Sequence, residues 1–166
     1  MSTMLKDILA SIVSAVFIAI IFTSWSDSEF KEYNLTGKWK LETTTSTANV
    51  PEYIGMKLYY YVHIIQSNDK VTFSAEKVKE NSINGGTIKY TGKNRTYLKC
   101  QGTKKYNYFS KNKLVLNCNE TGRVRETTMI LDLDINLKDK MTGTFLSSAA
   151  NSDGTIEITR NNDNKS

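Results

Sequence analysis

The stretch Thr127-Thr-Met-Ile-Leu-Asp-Leu-Asp-Ile135, continued after a Leu137-Lys-Asp139 turn by Met141-Thr-Gly-Thr-Phe-Leu146 and then by Thr155-Ile-Glu-Ile-Thr-Arg160, decides the fold. Met129, Leu131, Leu133 and Ile135 share one phase, as do Met141, Gly143 and Phe145, then Ile156 and Ile158. A period of two puts these residues on one face of successive strands and sends the intervening Thr, Asp and Glu to the other. Asp132 and Asp134 therefore lie on the solvent face, where carboxylates solubilise a strand.

Working back along the chain, the same alternation recurs from Leu35 onward, and no segment of helical period and length interrupts it. The pattern predicts strands over 37–44, 57–66, 70–77, 87–90, 96–101, 104–109, 113–118, 127–135, 141–146 and 155–160. Ser67-Asn-Asp69, Asn84-Gly-Gly86, Ser110-Lys-Asn112, Leu137-Lys-Asp139 and Ser152-Asp-Gly154 carry turn chemistry, and the single proline, Pro51, falls in a loop. Short turns make sequential strands antiparallel neighbours. About 8–10 of them in one domain predict an all-β, small antiparallel barrel, because closure removes exposed sheet edges. Trp39, Leu41 and Thr43 face its lumen, as do Leu58, Tyr60, Val62 and Ile64, then Val71, Phe73 and Ala75. Arg160 falls in phase with Ile156 and Ile158, and the indole of Trp39 offers it a cation–π partner at the closing end of the barrel.

In front of the barrel, Ile8 to Trp25 carries no charge. At 1.5 Å per residue it covers most of a hydrocarbon layer roughly 30 Å thick, so it reads as one transmembrane helix with Ile8, Phe17, Phe22 and Trp25 among its anchoring residues. The organisation expected is a 1–26 anchor, a 27–34 linker, a 35–160 barrel and a 161–166 disordered tail. A cleaved signal peptide is the competing reading, since Ser24-Trp-Ser26 offers small residues, although Lys6 is the only basic residue ahead of the run. Ser11, Ser14, Ala15 and Ala19 form a small-residue stripe that lets helices approach closely in lipid.

Lys31, Lys38 and Lys40 after the helix, against Lys6 before it, place the β domain in the cytoplasm, anchored single-pass in the inner membrane. Cys100 and Cys118 belong to no CxxC or His-rich spacing and fit that compartment; in an exported domain they would be free to pair. The net charge of +5 comes from scattered lysines, which make a solvated basic surface or one that draws anions such as lipid headgroups or a phosphorylated ligand. Without a basic block, no DNA or RNA polymer is expected as a partner. The Asn34, Asn94 and Asn119 sequons are no more than this Asn-, Ser- and Thr-rich composition supplies.

Catalytic chemistry is missing. His63 has no triad partners, one histidine and two separated cysteines build no recognisable zinc site, and Asn84-Gly-Gly lacks the helix and Lys-Ser/Thr of a phosphate loop. Neither a metal nor a cofactor is expected, and the chain reads as a non-enzyme. Nine tyrosines are its unusual feature. As strand formers they pack; alternatively Tyr60, Tyr90, Tyr106 and Tyr108, beside Arg95 and Arg125 or Lys99 and Lys104, stack on a base while the cations hold phosphate.

Leu35-Thr-Gly-Lys-Trp39 resembles the Gly-x-Trp opening of lipocalins, and Arg160 their closing arginine. The stretch from Leu131 to Arg160, with Met141-Thr-Gly-Thr-Phe145 and Gly154-Thr-Ile-Glu-Ile-Thr-Arg160, is similar to the transmembrane β-strand-rich effectors of bacterial cyclic-oligonucleotide antiphage signalling (CBASS), as are His63-Ile-Ile-Gln66 and the strand from Lys70. That resemblance implies a lipocalin-like barrel that senses a cyclic dinucleotide and a homo-oligomer that assembles among inner-membrane lipids and damages them. Two helices usually precede the barrel in that family, whereas one is found here. The other reading is an anchored lipocalin-like module that holds a lipid or a partner protein on the outer side of the membrane.

Overall fold

The computed structural model of the protein describes residues 11–21, 33–92, 96–107, 110–122 and 126–161, apart from the side chain of Asn136. The chain forms two compact units, Met1–Tyr33 and Asn34–Ser166. In the first, residues 11–21 are helical with exposed side chains. Those eleven residues rise only about 16 Å, and no helix among the described residues is long and apolar enough to cross a membrane. Phe17 lies in this helix; Ile8, Phe22 and Trp25 lie outside the described residues.

The second unit is an all-β antiparallel barrel. Its strands are β1 (Gly37–Thr47), β2 (Lys57–Ser67), β3 (Lys70–Ser82), β4 (Gly86–Lys89), β5 (Tyr97–Lys105), β6 (Asn112–Thr121), β7 (Glu126–Leu137), β8 (Lys140–Ser147) and β9 (Ser152–Arg160). Neighbours run β2-β1-β9-β8-β7-β6-β5-β3, and β2 also pairs with β3, so eight strands close a ring. The ninth, β4, extends only the far end of β3, from Lys79 to Ser82.

Alternation fills the lumen. Trp39, Leu41 and Thr43 of β1 are buried, as are Val62 and Ile64, Phe73, Leu131 and Leu133, and Ile156 and Ile158. Several strands run longer than the sequence reading, β1 to Thr47 and β3 to Ser82 among them, and two readings differ in kind. The strands expected over 96–101 and 104–109 are one strand, β5, because Gly102 stays in the ladder opposite Leu116 and a Cβ there would overlap the Val115 carbonyl. A glycine inside a barrel strand marks a tight bend rather than a break. The turn expected at Ser152-Asp-Gly154 falls earlier: Ala150 and Asn151 take left-handed φ values of 53° and 44°, and Ser152 already pairs with Ser147.

One end of the barrel is sealed. Leu35 is fully buried, its carbonyl accepts the Trp39 indole N–H at 2.8 Å, and its amide donates to Gln66 Oε1 at 3.0 Å. The Arg160 guanidinium stacks 4.3 Å from the Trp39 ring and donates to the carbonyls of Asn34 at 2.8 Å and Thr36 at 3.1 Å. Its Nε lies 3.0 Å from Asp139 Oδ1, off the line of a hydrogen bond, so that contact is an ion pair. Asn161 donates its amide to Lys38, which leaves only residues 162–166 of the expected tail, all outside the described residues.

Midway along the lumen Cys100 and Cys118, directly opposed on β5 and β6, form a disulfide and are both buried. The sequence leaves this pairing open, allowing it for an exported domain. Alternation alone puts both on the inner face of neighbouring strands.

Candidate functional site

At the end opposite Arg160 the lumen opens into a cavity of about 500 Å³. Its lining is mixed: Met56, Leu58, Met129 and Phe145 are apolar, Thr127 and Ser147 are among those that add hydroxyls, and Lys77 and Glu120 carry charge. The alternation that builds the core delivers both. Lys77 follows Val71, Phe73 and Ala75 in the inward phase of β3, and Glu120 follows Leu114, Leu116 and Cys118 in that of β6. β5 lies between the two strands, with Glu120 opposite Leu98 and the Lys77 amide bonded to the Thr96 carbonyl, and on its lumen side the two side chains meet.

The two form an ion pair at 3.0 Å with side chains only 11% and 10% exposed. Tyr60, opposite Lys77 on β2, donates its hydroxyl to Glu120 Oε1 at 3.0 Å, and Thr127, opposite Glu120 on β7, donates to Oε2 at 3.3 Å. The ammonium also stands 5.7 Å and 5.5 Å from the ring centroids of Tyr60 and Tyr90. A charge placed in the lumen is tolerated because every group around it supplies a partner. Burial, followed by the nearby Glu120 charge, pushes the Tyr60 hydroxyl well above its ordinary range. Tyr90 donates to Glu80 at 2.7 Å and is also pushed up, by burial first and by Glu80 second.

Of the tyrosines and arginines read as a ligand set, the structure brings two together. Tyr90 lines the cavity and Tyr60 lies beneath it. Tyr106 does not join them: it follows β5 at the sealed end, its ring 4.7 Å from the buried Lys104 ammonium, because β5 runs away from the mouth. Lys99 points outward. Arg95, Tyr108 and Arg125 lie outside the described residues. His63 is on the outer wall, Asp132 and Asp134 face Lys113 on the same exterior at 3.4 and 3.9 Å, and no group of metal-ligating side chains is found among the described residues. The sequence did carry a sign of Lys77 and Glu120: a charged residue in the apolar phase of a strand.

Among solved structures the chain is similar to a redesigned β-barrel, mFAP0, bound to DFHBI, with a TM-score of 0.53 at 13% identity over 76% of this chain and 98% of that one. At that identity the likeness speaks for the small-barrel fold alone. No family model matches the chain, and no curated protein does.

Proposed function

We propose that the barrel is a non-enzymatic, lipocalin-like binding module that takes a small uncharged amphiphile into its mouth, on the outer side of a membrane to which the apolar segment 8–25 holds it. The cavity carries this reading. Its volume suits one small ligand, apolar side chains and hydroxyls share its lining, and among the described residues two lysines, Lys77 and Lys89, stand against two glutamates, Glu80 and Glu120. The buried cation is already held by Glu120, so an entering anion would have to displace a carboxylate. A neutral ligand with a hydroxyl or amide exchanges hydrogen bonds with the same floor at no net charge cost. The Cys100–Cys118 bond supports the outer compartment in this reading, since disulfides persist in oxidising environments. That outweighs the lysine bias that favours the cytoplasm.

The test is calorimetric titration of the reconstituted full chain with a monoacylglycerol and, separately, with a panel of cyclic dinucleotides. Saturable one-to-one heat with the monoacylglycerol, abolished by the cavity-filling Ala149→Trp, is the expected result. Heat with a cyclic dinucleotide alone would overturn it and favour the cytoplasmic sensor-effector that self-assembles in the inner membrane. A reporter fused after Ser166 reads the compartment independently, and activity only on the outer side is expected.

A further inference from the structure

We infer that one side of the barrel mouth is a membrane-docking knob, made by the 48–56 loop and the β3–β4 hairpin, through which the cavity opens toward lipid. Ile83 at the hairpin tip is 73% exposed, Ile88 on β4 50%, and Ile54 in the loop 43%. They belong to one patch: the Ile83 Cδ1 atom occupies the place that a Cβ on Gly55 would take, so the hairpin tip rests on the loop.

This exposure is held by the backbone. Gly55 donates to the Thr45 carbonyl at 2.8 Å, Ile54 to Pro51 at 3.0 Å and Met56 to Tyr53 at 3.0 Å, while the Gly85 amide is caught by Ser82 Oγ at 2.7 Å. Aliphatic side chains fixed outward in a cluster mark a contact surface. The same two segments line the cavity with Tyr53, Met56 and Ile88, and Ile88 belongs to both, so apolar side chains run from the outer knob onto the inner wall. A protein partner seated on the knob would leave that continuity unused, whereas an acyl phase extends it from outside to inside. The composition admits an interface: aliphatic tips adjoin Tyr53, Tyr90, Lys89 and Glu80 of the cavity lining, and Glu52 is the exposed acidic residue of the loop.

The inference rests on the cavity as a ligand site, and the two are tested apart. Ile83→Trp and, as a wall control, Tyr61→Trp are each placed in a Trp25→Phe background, which leaves the buried Trp39 as a constant signal. The full chain is reconstituted in phosphatidylcholine vesicles with plain or brominated acyl chains. Brominated lipid is expected to at least halve the emission added by Ile83→Trp and to leave that added by Tyr61→Trp unchanged. Equal emission from Ile83→Trp in both lipids, or equal quenching at both positions, overturns the docking knob whatever the cavity binds. An Ile54→Ser/Ile83→Ser chain should slow transfer of a fluorescent monoacylglycerol from vesicles severalfold, with its equilibrium affinity intact. Loss of self-association in that double variant, with transfer unaltered, would assign the knob to a second copy and refute the lipid contact.

Discussion

Replacing Glu120 by Leu is the perturbation that most directly probes the mouth. Glu120 receives the Lys77 ammonium at 3.0 Å, the Tyr60 hydroxyl at 3.0 Å and the Thr127 hydroxyl at 3.3 Å, almost out of contact with bulk water. Removing one partner of a buried ion pair costs about 3–5 kcal/mol, because the other charge stays behind unpaired. Here the cavity admits water to Lys77, which favours the lower figure, about 3 kcal/mol, or a fall in Tm of roughly 10–15 °C for a domain of this size. Lys77→Met should cost a similar amount, for the same reason with the signs exchanged. The double variant removes both charges and leaves only the Tyr60 and Thr127 hydroxyls without their acceptor, so it should lie within about 2 kcal/mol of the parent rather than at the sum of the singles. Denaturant unfolding of the disulfide-intact full chain, with m unchanged across the four proteins, measures this coupling. Additive losses would show that the pair contributes nothing as a pair, and the picture of an internally neutralised floor would fail.

Stability should also fall as pH rises above 10.0, the ordinary tyrosine value, because folding raises the affinity of Tyr60 and Tyr90 for their protons. The unfolded chain then ionises first, so the contribution is complete below that pH and lost above it; Tyr60→Phe should flatten urea midpoints followed from pH 8 to 11. At the sealed end, Arg160→Ala should cost about 2–4 kcal/mol through the lost stack on Trp39 and two charged hydrogen bonds, and Arg160→Lys should recover less than half of it in thermal melts. A Cys100→Ala/Cys118→Ala chain should lose roughly 3 kcal/mol in denaturant titrations, from release of a loop with sequence separation 18. Gly143→Val should prevent barrel closure, read as lost β-sheet circular dichroism, because a Cβ there would overlap the Asp132 carbonyl.

Period-two alternation made the barrel legible wherever a strand had an apolar and a polar face, as in β1, β7, β8 and β9. It misplaced what depends on neighbours. Gly102 looks like a break in a single strand and becomes a close approach only when β6 lies alongside. Ser152-Asp-Gly154 has turn chemistry, yet Asp153 is recruited into β9 opposite Leu146 and its carboxylate accepts the Thr47 hydroxyl. Tyr106 and Tyr90 are indistinguishable as tyrosines in middle strands, and only strand direction sends one to the sealed end and the other to the mouth. Lys77 and Glu120 are separated by 43 residues on strands that are not neighbours in the sheet, so nothing local links them.

The two ends of this barrel satisfy their polar groups in different ways, and that difference supports placing the proposed site at the mouth. At the sealed end Arg160 and the Trp39 indole bond to carbonyls of Leu35, Thr36 and Asn34, atoms that the backbone fixes in place. A ligand cannot replace those acceptors without unthreading the first strand. At the mouth Lys77, Tyr60 and Thr127 bond to Glu120, and Tyr90 to Glu80, through side-chain ends that can rotate toward a new partner. Exchange of one hydrogen bond for another of similar strength is nearly neutral, whereas breaking one outright is not. For the proposed ligand, the mouth is the end whose network could exchange with an entering hydroxyl, while the backbone acceptors of the sealed end hold Arg160 and Trp39 in place.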